Sequence, residues 1–155
     1  MWPWNDSAAW EALCRGQTCP LCVPGAPPDT ILSLPATHVV VPRRACLPGY
    51  VCLVSRRHVV EFHDLTSAEA SAFTADLLRV SAAVRPLRRA VKINLASLGN
   101  LVPHLHVHVC PRIPGDRFEG RPLDPGDGRD DVYADAEHET YVAALRLALV
   151  PSCPQ

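Results

Sequence analysis

The chain lacks any excess of charge: 15 Lys and Arg against 16 Asp and Glu leave a net charge of -1 over 155 residues. That balance removes the electrostatic case for a nucleic-acid polymer or an anionic membrane surface as partner. Lysine is nearly absent, with Lys92 the only one, and the bias toward Arg carries little functional weight. No apolar run approaches the roughly 18 to 20 residues of a membrane span. The opening MWPWNDSAAW has neither a basic n-region nor an apolar h-region, so no signal peptide is expected. A disulfide framework is missing too: seven cysteines, at 14, 19, 22, 46, 52, 110 and 153, are odd in number and irregular in spacing. Without a secretion signal they read as reduced thiols or metal ligands, and the expected compartment is the cytoplasm. No repeat or linker divides the chain, and 48% hydrophobic residues suffice for one domain with a core, taken as residues 1–155.

What is present reads as a sheet with helices. Asn5 or Asp6 can cap a short helix, SAAWEALC, with Trp10, Leu13 and Cys14 on one face. RGQTCPLCVPGAPPDT must be a loop. Strands are expected at ILSL and HVVV, separated by Pro35 and closed by Pro42, and at YVCLV from Tyr50, after the Pro48-Gly49 turn. Thr66 and Glu69 form a T-x-x-E capping box for the main helix, whose Phe73, Leu77, Val80 and Val84 keep helical spacing. Pro86 is expected to stop it. AVKINLA alternates as a strand does. Residues 114–135, dense in Pro, Gly and acids, predict a long exposed loop, and Tyr141, Leu145 and Leu149 mark a last helix ahead of Pro151. The fold class is α+β: mostly antiparallel strands, one main helix packed on them, and a C-terminal helix.

The stretch LGNLVPHLHVHVCPR, from Leu98 to Arg112, carries the chemistry. Strand alternation would turn His104, His106 and His108 to one face, about 6.6 Å apart along the strand. Leu105, Val107 and Val109 would then pack against the main helix. Three histidines in a row are too many for an ordinary solvated face. The run fits either metal binding or acid–base and nucleophilic chemistry.

The pattern N…GN-x-V-P-H-x-H-x-H-x-x-P-R resembles the signature of the histidine triad (HIT) superfamily. A CxxC pair, the PGYVCLVSRRHV block and a D-L-T helix start precede it in the order expected of bacterial, zinc-containing members. The resemblance covers about residues 10–118, with 119–155 as a C-terminal extension. It implies a HIT-like fold and a nucleotide hydrolase or nucleotidyl transferase, acting on a nucleotide or nucleotide conjugate and commonly a homodimer. The central histidine, here His106, would attack the α-phosphorus and form a nucleotidyl-histidine, with its Nδ1–H held by the His104 carbonyl. His108 would contact phosphate oxygens and assist the leaving group. Asn94, Gly99 and Asn100 would donate hydrogen bonds to phosphate. Asn94 reads equally well as an ordinary strand residue, and Gly99 is first a turn residue.

Cys19-Pro20-Leu21-Cys22 has the spacing that lets two thiolates share one zinc, although alone it could be a redox pair or two unremarkable cysteines. The resemblance supplies His58 and His104 as the remaining ligands of one structural zinc per chain. His63 is a substitute for His58 that better suits a helix start. Cys46, Cys52 and Cys110 read as small core residues, and His38 and His138 as structure or surface.

The sequence also departs from the family. Tyr50 stands where many members carry a histidine. No Asp or Glu lies between His38 and Tyr50 to hold a ribose; Arg43 and Arg44 stand there and read as surface charge. The acidic segment DPGDGRDDVYADAEHE reads as solvated charge more readily than as a lid. Two alternatives follow: a nucleotide-binding or regulatory module with little turnover, and an unrelated metalloenzyme using all three histidines. The second leaves Cys19 and Cys22 unexplained and lacks a nearby carboxylate.

Overall fold

The computed structural model describes residues 2–127, 130–134 and 136–150. Pro151, expected to end the last helix, and Cys153 lie outside the described residues, as do positions 128, 129 and 135 of the acidic segment.

Asp6 caps α1 (Ser7–Cys14), its carboxylate accepting from the Ala8 and Ala9 amides. The loop carrying Cys19 and Cys22 leads to β1 (Thr30–Ser33) and β2 (Thr37–Val40), followed by the short β3 (Arg44–Ala45) and by β4 (Val51–Ser55). α2 (Ser67–Leu87) begins at the Thr66–Glu69 capping box. β5 (Lys92–Ala96) and β6 (His106–Arg112) form the hairpin that carries the histidines; β7 (Asp130–Asp131) and α3 (Glu137–Leu149) complete the order. Five strands make one antiparallel sheet in the order β1-β2-β4-β6-β5. The expected α+β architecture is therefore present, with α2 as its main helix and α3 as its C-terminal one.

The two faces of the sheet differ. Val39, Leu53 and Val109 pack with Val80 and Val84 of α2 and with Leu145 and Leu149 of α3 in one core cluster. Leu105 and Val107 continue that face against Phe73 and Val59. Because side chains alternate along a strand, His106, His108, Cys110 and Arg112 fall on the opposite face. Cys52 is paired directly across from His108.

Three expectations need correction. Pro86 does not stop α2, which runs on to Leu87. A proline in the last turn removes only one backbone donor there. The stop comes from Arg89, at φ +50°, where the Ala90 amide reaches back to the Arg85 carbonyl and the Arg89 amide to that of Pro86. Second, β6 begins at His106, so His104 precedes the strand and is not on a common strand face with the other two histidines. Third, the stretch from Pro114 is only partly an exposed loop: Phe118 is 2% and Tyr133 7% exposed, and β7 pairs with β3. Two-residue strands have no periodicity to betray them.

Candidate active site and metal cluster

β6 and the residues just before it place two sites end to end. His104 is buried, and its Nε2–H donates to the Ser55 carbonyl at 2.8 Å. His58 donates its Nε2–H to the Cys14 carbonyl at 2.9 Å. A carbonyl only accepts, so in both neutral rings the lone pair is on Nδ1. The two Nδ1 atoms face each other at 3.1 Å. Cys22 Sγ lies 3.2 Å from His58 Nδ1 and 3.4 Å from His104 Nδ1, and Cys19 Sγ lies 3.5 Å from His104 Nδ1.

All four donor atoms lie within 4.8 Å of one another. Tetrahedral zinc with bonds of about 2.0 Å to N and 2.3 Å to S sets ligand atoms roughly 3.3 to 3.8 Å apart, so the cluster has the dimensions of a four-ligand metal site. With both lone pairs turned inward, a cation between the rings could be held by them. Burial holds the His104 ring below the ordinary histidine pKa, in its ligating neutral form. Without a cation, burial and the neighbouring Cys19 push the Cys22 thiol up to about 11. His63 is not in the cluster; it sits on a short 3-10 turn (Phe62–Asp64) with its side chain exposed.

His106 donates its Nδ1–H to the backbone carbonyl of His104 at 2.6 Å. The neutral ring then carries its lone pair on Nε2, the nucleophilic form. The His106 and His108 rings meet edge to face with centroids 4.9 Å apart. His108 is 6% exposed, and its Nδ1 lies 2.6 Å from the hydroxyl of Tyr50. Sequence reasoning noted Tyr50 only as a departure and missed this contact.

Asn94 lies opposite Cys110 on β5, on the same face as the histidines. Its Oδ1 accepts from Arg112 Nη1 at 2.8 Å, which leaves its amide N–H groups as the donors. Arg112 is itself held by both oxygens of Asp116 and by the Phe118 carbonyl. That brace was also unforeseen, although Pro-Arg stood at the end of the motif. Gly99 and Asn100 form the turn between β5 and β6; Gly99 is at φ +70°, where a glycine is needed for conformation, a built Cβ meeting nothing closer than 3.9 Å. Ser97 Oγ ties this turn to the His106 carbonyl at 3.0 Å.

Cys46 and Cys110 are buried in a satellite core with Tyr50 and Phe118, and Cys52 packs against it. His38 bonds Ser33, and His138 bonds the Val41 carbonyl. Arg43 pairs with Glu139 of α3 in an exposed bridge.

An antiparallel sheet with α2 and α3 on one face and the adjacent His106 and His108 on the other defines an α+β protein. The chain belongs to the HIT family, whose domain matches residues 25–115. It is 34% identical to a histidine triad protein from Bradyrhizobium japonicum of solved structure, covering 77% of this chain and 89% of that one with a TM-score of 0.68. Among curated proteins it is 32% identical over 95 residues to the bifunctional bis(5'-adenosyl)-triphosphatase/adenylylsulfatase FHIT of Arabidopsis thaliana, covering 58% of this chain and 53% of that one. It is 47% identical over 75 residues to the AP-4-A phosphorylase of Mycobacterium tuberculosis, covering 44% of this chain and 38% of the relative. The chain thus spans about half or less of the curated relatives' length. Relatives named as nucleotide hydrolases or phosphorylases therefore come from the same family.

Proposed function

We propose that this protein is a nucleotide hydrolase or nucleotidyl transferase that works through a nucleotidyl-histidine on His106. The single observation that carries the reading is the 2.6 Å bond from His106 Nδ1–H to the His104 carbonyl, which fixes the lone pair on Nε2. In the first step Nε2 attacks the α-phosphorus; the P–N bond forms as the bond from phosphorus to the leaving group breaks, and an N–H of His108 hydrogen-bonds the departing group, which takes its proton from solvent. In the second, water or another acceptor attacks the same phosphorus, giving up a proton as the P–N bond breaks and the free imidazole returns. Asn94, its carbonyl engaged by Arg112, would aim its N–H groups at phosphate oxygens, with Gly99 and Asn100 closing the same end. The nucleotide substrates named for the curated relatives support this substrate class.

Cys19, Cys22, His58 and His104 would hold one structural zinc, a closed donor set that leaves no position for activating water. Its chemistry when bound is to fix geometry: it ties the N-terminal loop to the residue whose carbonyl orients His106. Four thiols outside that set, Cys14, Cys46, Cys52 and Cys110, are in no disulfide among the described residues and support a reducing, cytoplasmic setting, and none of the described helices is long and apolar enough to cross a membrane. A homodimer joined along the β5 edge would be the natural assembly, with Leu95, Leu98 and Leu101 exposed there or in the turn that follows.

The test is a screen of dinucleoside polyphosphates, nucleoside phosphoramidates and nucleotide sugars with wild type and His106→Asn. Turnover by wild type and a loss on the order of 10³-fold or more in the variant, with an unchanged fold, is expected. Equal activity in the two proteins would remove the nucleophile assignment. Binding without turnover by wild type would favour the regulatory-module reading.

A further inference from the structure

Tyr50 and His108 lie 58 positions apart in sequence and meet in the buried layer behind the histidine face. The hydroxyl is 2.6 Å from His108 Nδ1, and the two rings are tilted with centroids 5.7 Å apart. One proton has to be assigned in that contact. Burial drives the Tyr50 hydroxyl far above its ordinary pKa, so it keeps its proton. Its neighbours include Cys52, but an imidazole nitrogen is a much better acceptor than a thiol sulfur. The hydroxyl therefore donates to Nδ1, and a neutral His108 must carry its own proton on Nε2. His106 has the reverse assignment, Nδ1–H donated to a carbonyl. The adjacent rings are thus set as opposite tautomers, one presenting a lone pair at Nε2 and the other an N–H.

The position of Tyr50 is itself held, from an unexpected direction. Both backbone groups of the preceding residue, Gly49, are engaged by tyrosines of the C-terminal segment. The Gly49 amide donates to the Tyr133 hydroxyl at 2.8 Å, and the Tyr141 hydroxyl donates to the Gly49 carbonyl at 2.9 Å. Gly49 is at φ +85°, and a Cβ there would come within 2.5 Å of the Arg88 side chain, so the site admits only glycine without rearrangement. Arg88 in turn lies over the Tyr141 ring and pairs with Glu137 at 3.0 Å. Tyr133 and Tyr141 both fall outside residues 25–115, the part matched by the family.

We propose that Tyr50 is a positioning residue that holds His108 as the Nε2–H tautomer, and that Tyr133 and Tyr141 hold Tyr50 in place by clamping Gly49. The catalytic consequence rests on the nucleotidyl-histidine reading above: His108 is kept with its Nε2–H turned out as a hydrogen-bond donor to the departing group. The tautomer itself does not depend on that reading.

The experiment is ¹⁵N NMR of histidine-labelled, full-length protein at neutral pH, for wild type, Tyr50→Phe and Tyr133→Phe. Wild-type His108 should show a protonated Nε2 and an unprotonated Nδ1. Tyr50→Phe should move it toward a mixture, and Tyr133→Phe should shift it partway in the same direction. An Nδ1–H tautomer in wild type overturns the proposal even if neither variant folds, and so does a His108 spectrum unchanged in Tyr50→Phe. The kinetic arm compares a nucleoside phosphoramidate, whose amine needs a proton to leave, with a nitrophenyl nucleotide ester, whose phenolate does not. Tyr50→Phe should lose about tenfold on the first and little on the second; equal losses on both would reduce Tyr50 to a packing residue and overturn its positioning role. If wild type turns over neither substrate while the tautomer is as stated, the enzymatic reading falls and the tautomer assignment stands.

Discussion

His104 contributes at both of its ends. Its ring nitrogens join a metal-type cluster and a backbone carbonyl, while its own carbonyl accepts the hydrogen bond from His106 Nδ1–H that settles which nitrogen of that ring carries the proton. The H-x-H-x-H run and the C-x-x-C spacing of Cys19 and Cys22 were visible in residue types alone. What the sequence could not show was who stands behind each ring. Tyr50 reaches His108 because β4 and β6 pair in the register Cys52 to His108, and register is set by long-range packing that local pattern does not encode. Arg112 is a second residue of this kind, linking Asn94 to Asp116. The Arg112 guanidinium holds the Asp116 carboxyl below the ordinary aspartate range. An aspartate unfolds to a pKa of about 3.9, so a depressed folded value adds stability above that pH. The contribution is lost as pH falls through the folded value. Urea unfolding of wild type and Asp116→Asn at pH 7 and pH 3 checks this: wild type should lose more stability than the variant on acidification. Parallel pH dependences would mean the pair adds nothing.

Whole elements followed their local signals where those signals were strong. The T-x-x-E box starts α2 where expected, both halves of the box being formed, and Phe73, Val80 and Val84 are buried as their spacing implied. The end of α2 was misjudged because a proline near a C-terminus sacrifices one hydrogen bond while the left-handed Arg89 decides the turn. The N-terminal loop offers little regular structure of its own, and its Cys19 and Cys22 lie beside His58 and His104 just ahead of β6. If zinc occupies that cluster, Cys22→Ser should remove it. Elemental analysis of protein purified without chelator should give about one zinc per wild-type chain and a small fraction of that in the variant. The melting temperature of the variant should fall by roughly 10 °C. Wild-type protein without zinc, or a variant that keeps its full complement, would contradict the assignment.

At the scale of the molecule, the segment after Phe118 is joined to the rest rather than appended to it. Tyr133, Tyr141, Val142, Leu145 and Leu149 share a core cluster with the sheet and α2, and two of those residues reach Gly49 beside the histidine face. Their burial could be guessed from helical spacing for α3, but nothing around Tyr133 in an acidic, Gly-rich stretch marked it as a core residue. The same opacity hid the second layer of the site, because its members come from opposite ends of the chain. The central claim remains a covalent bond at one nitrogen. Protein mixed with a nucleoside phosphoramidate or dinucleoside polyphosphate, quenched in base to protect an acid-labile P–N bond, and mapped by peptide mass spectrometry tests it most directly. The account predicts a mass increase of one nucleotidyl group on the peptide carrying His106, absent from His106→Asn. Turnover with the adduct on another residue, or the same adduct in the variant, would contradict it.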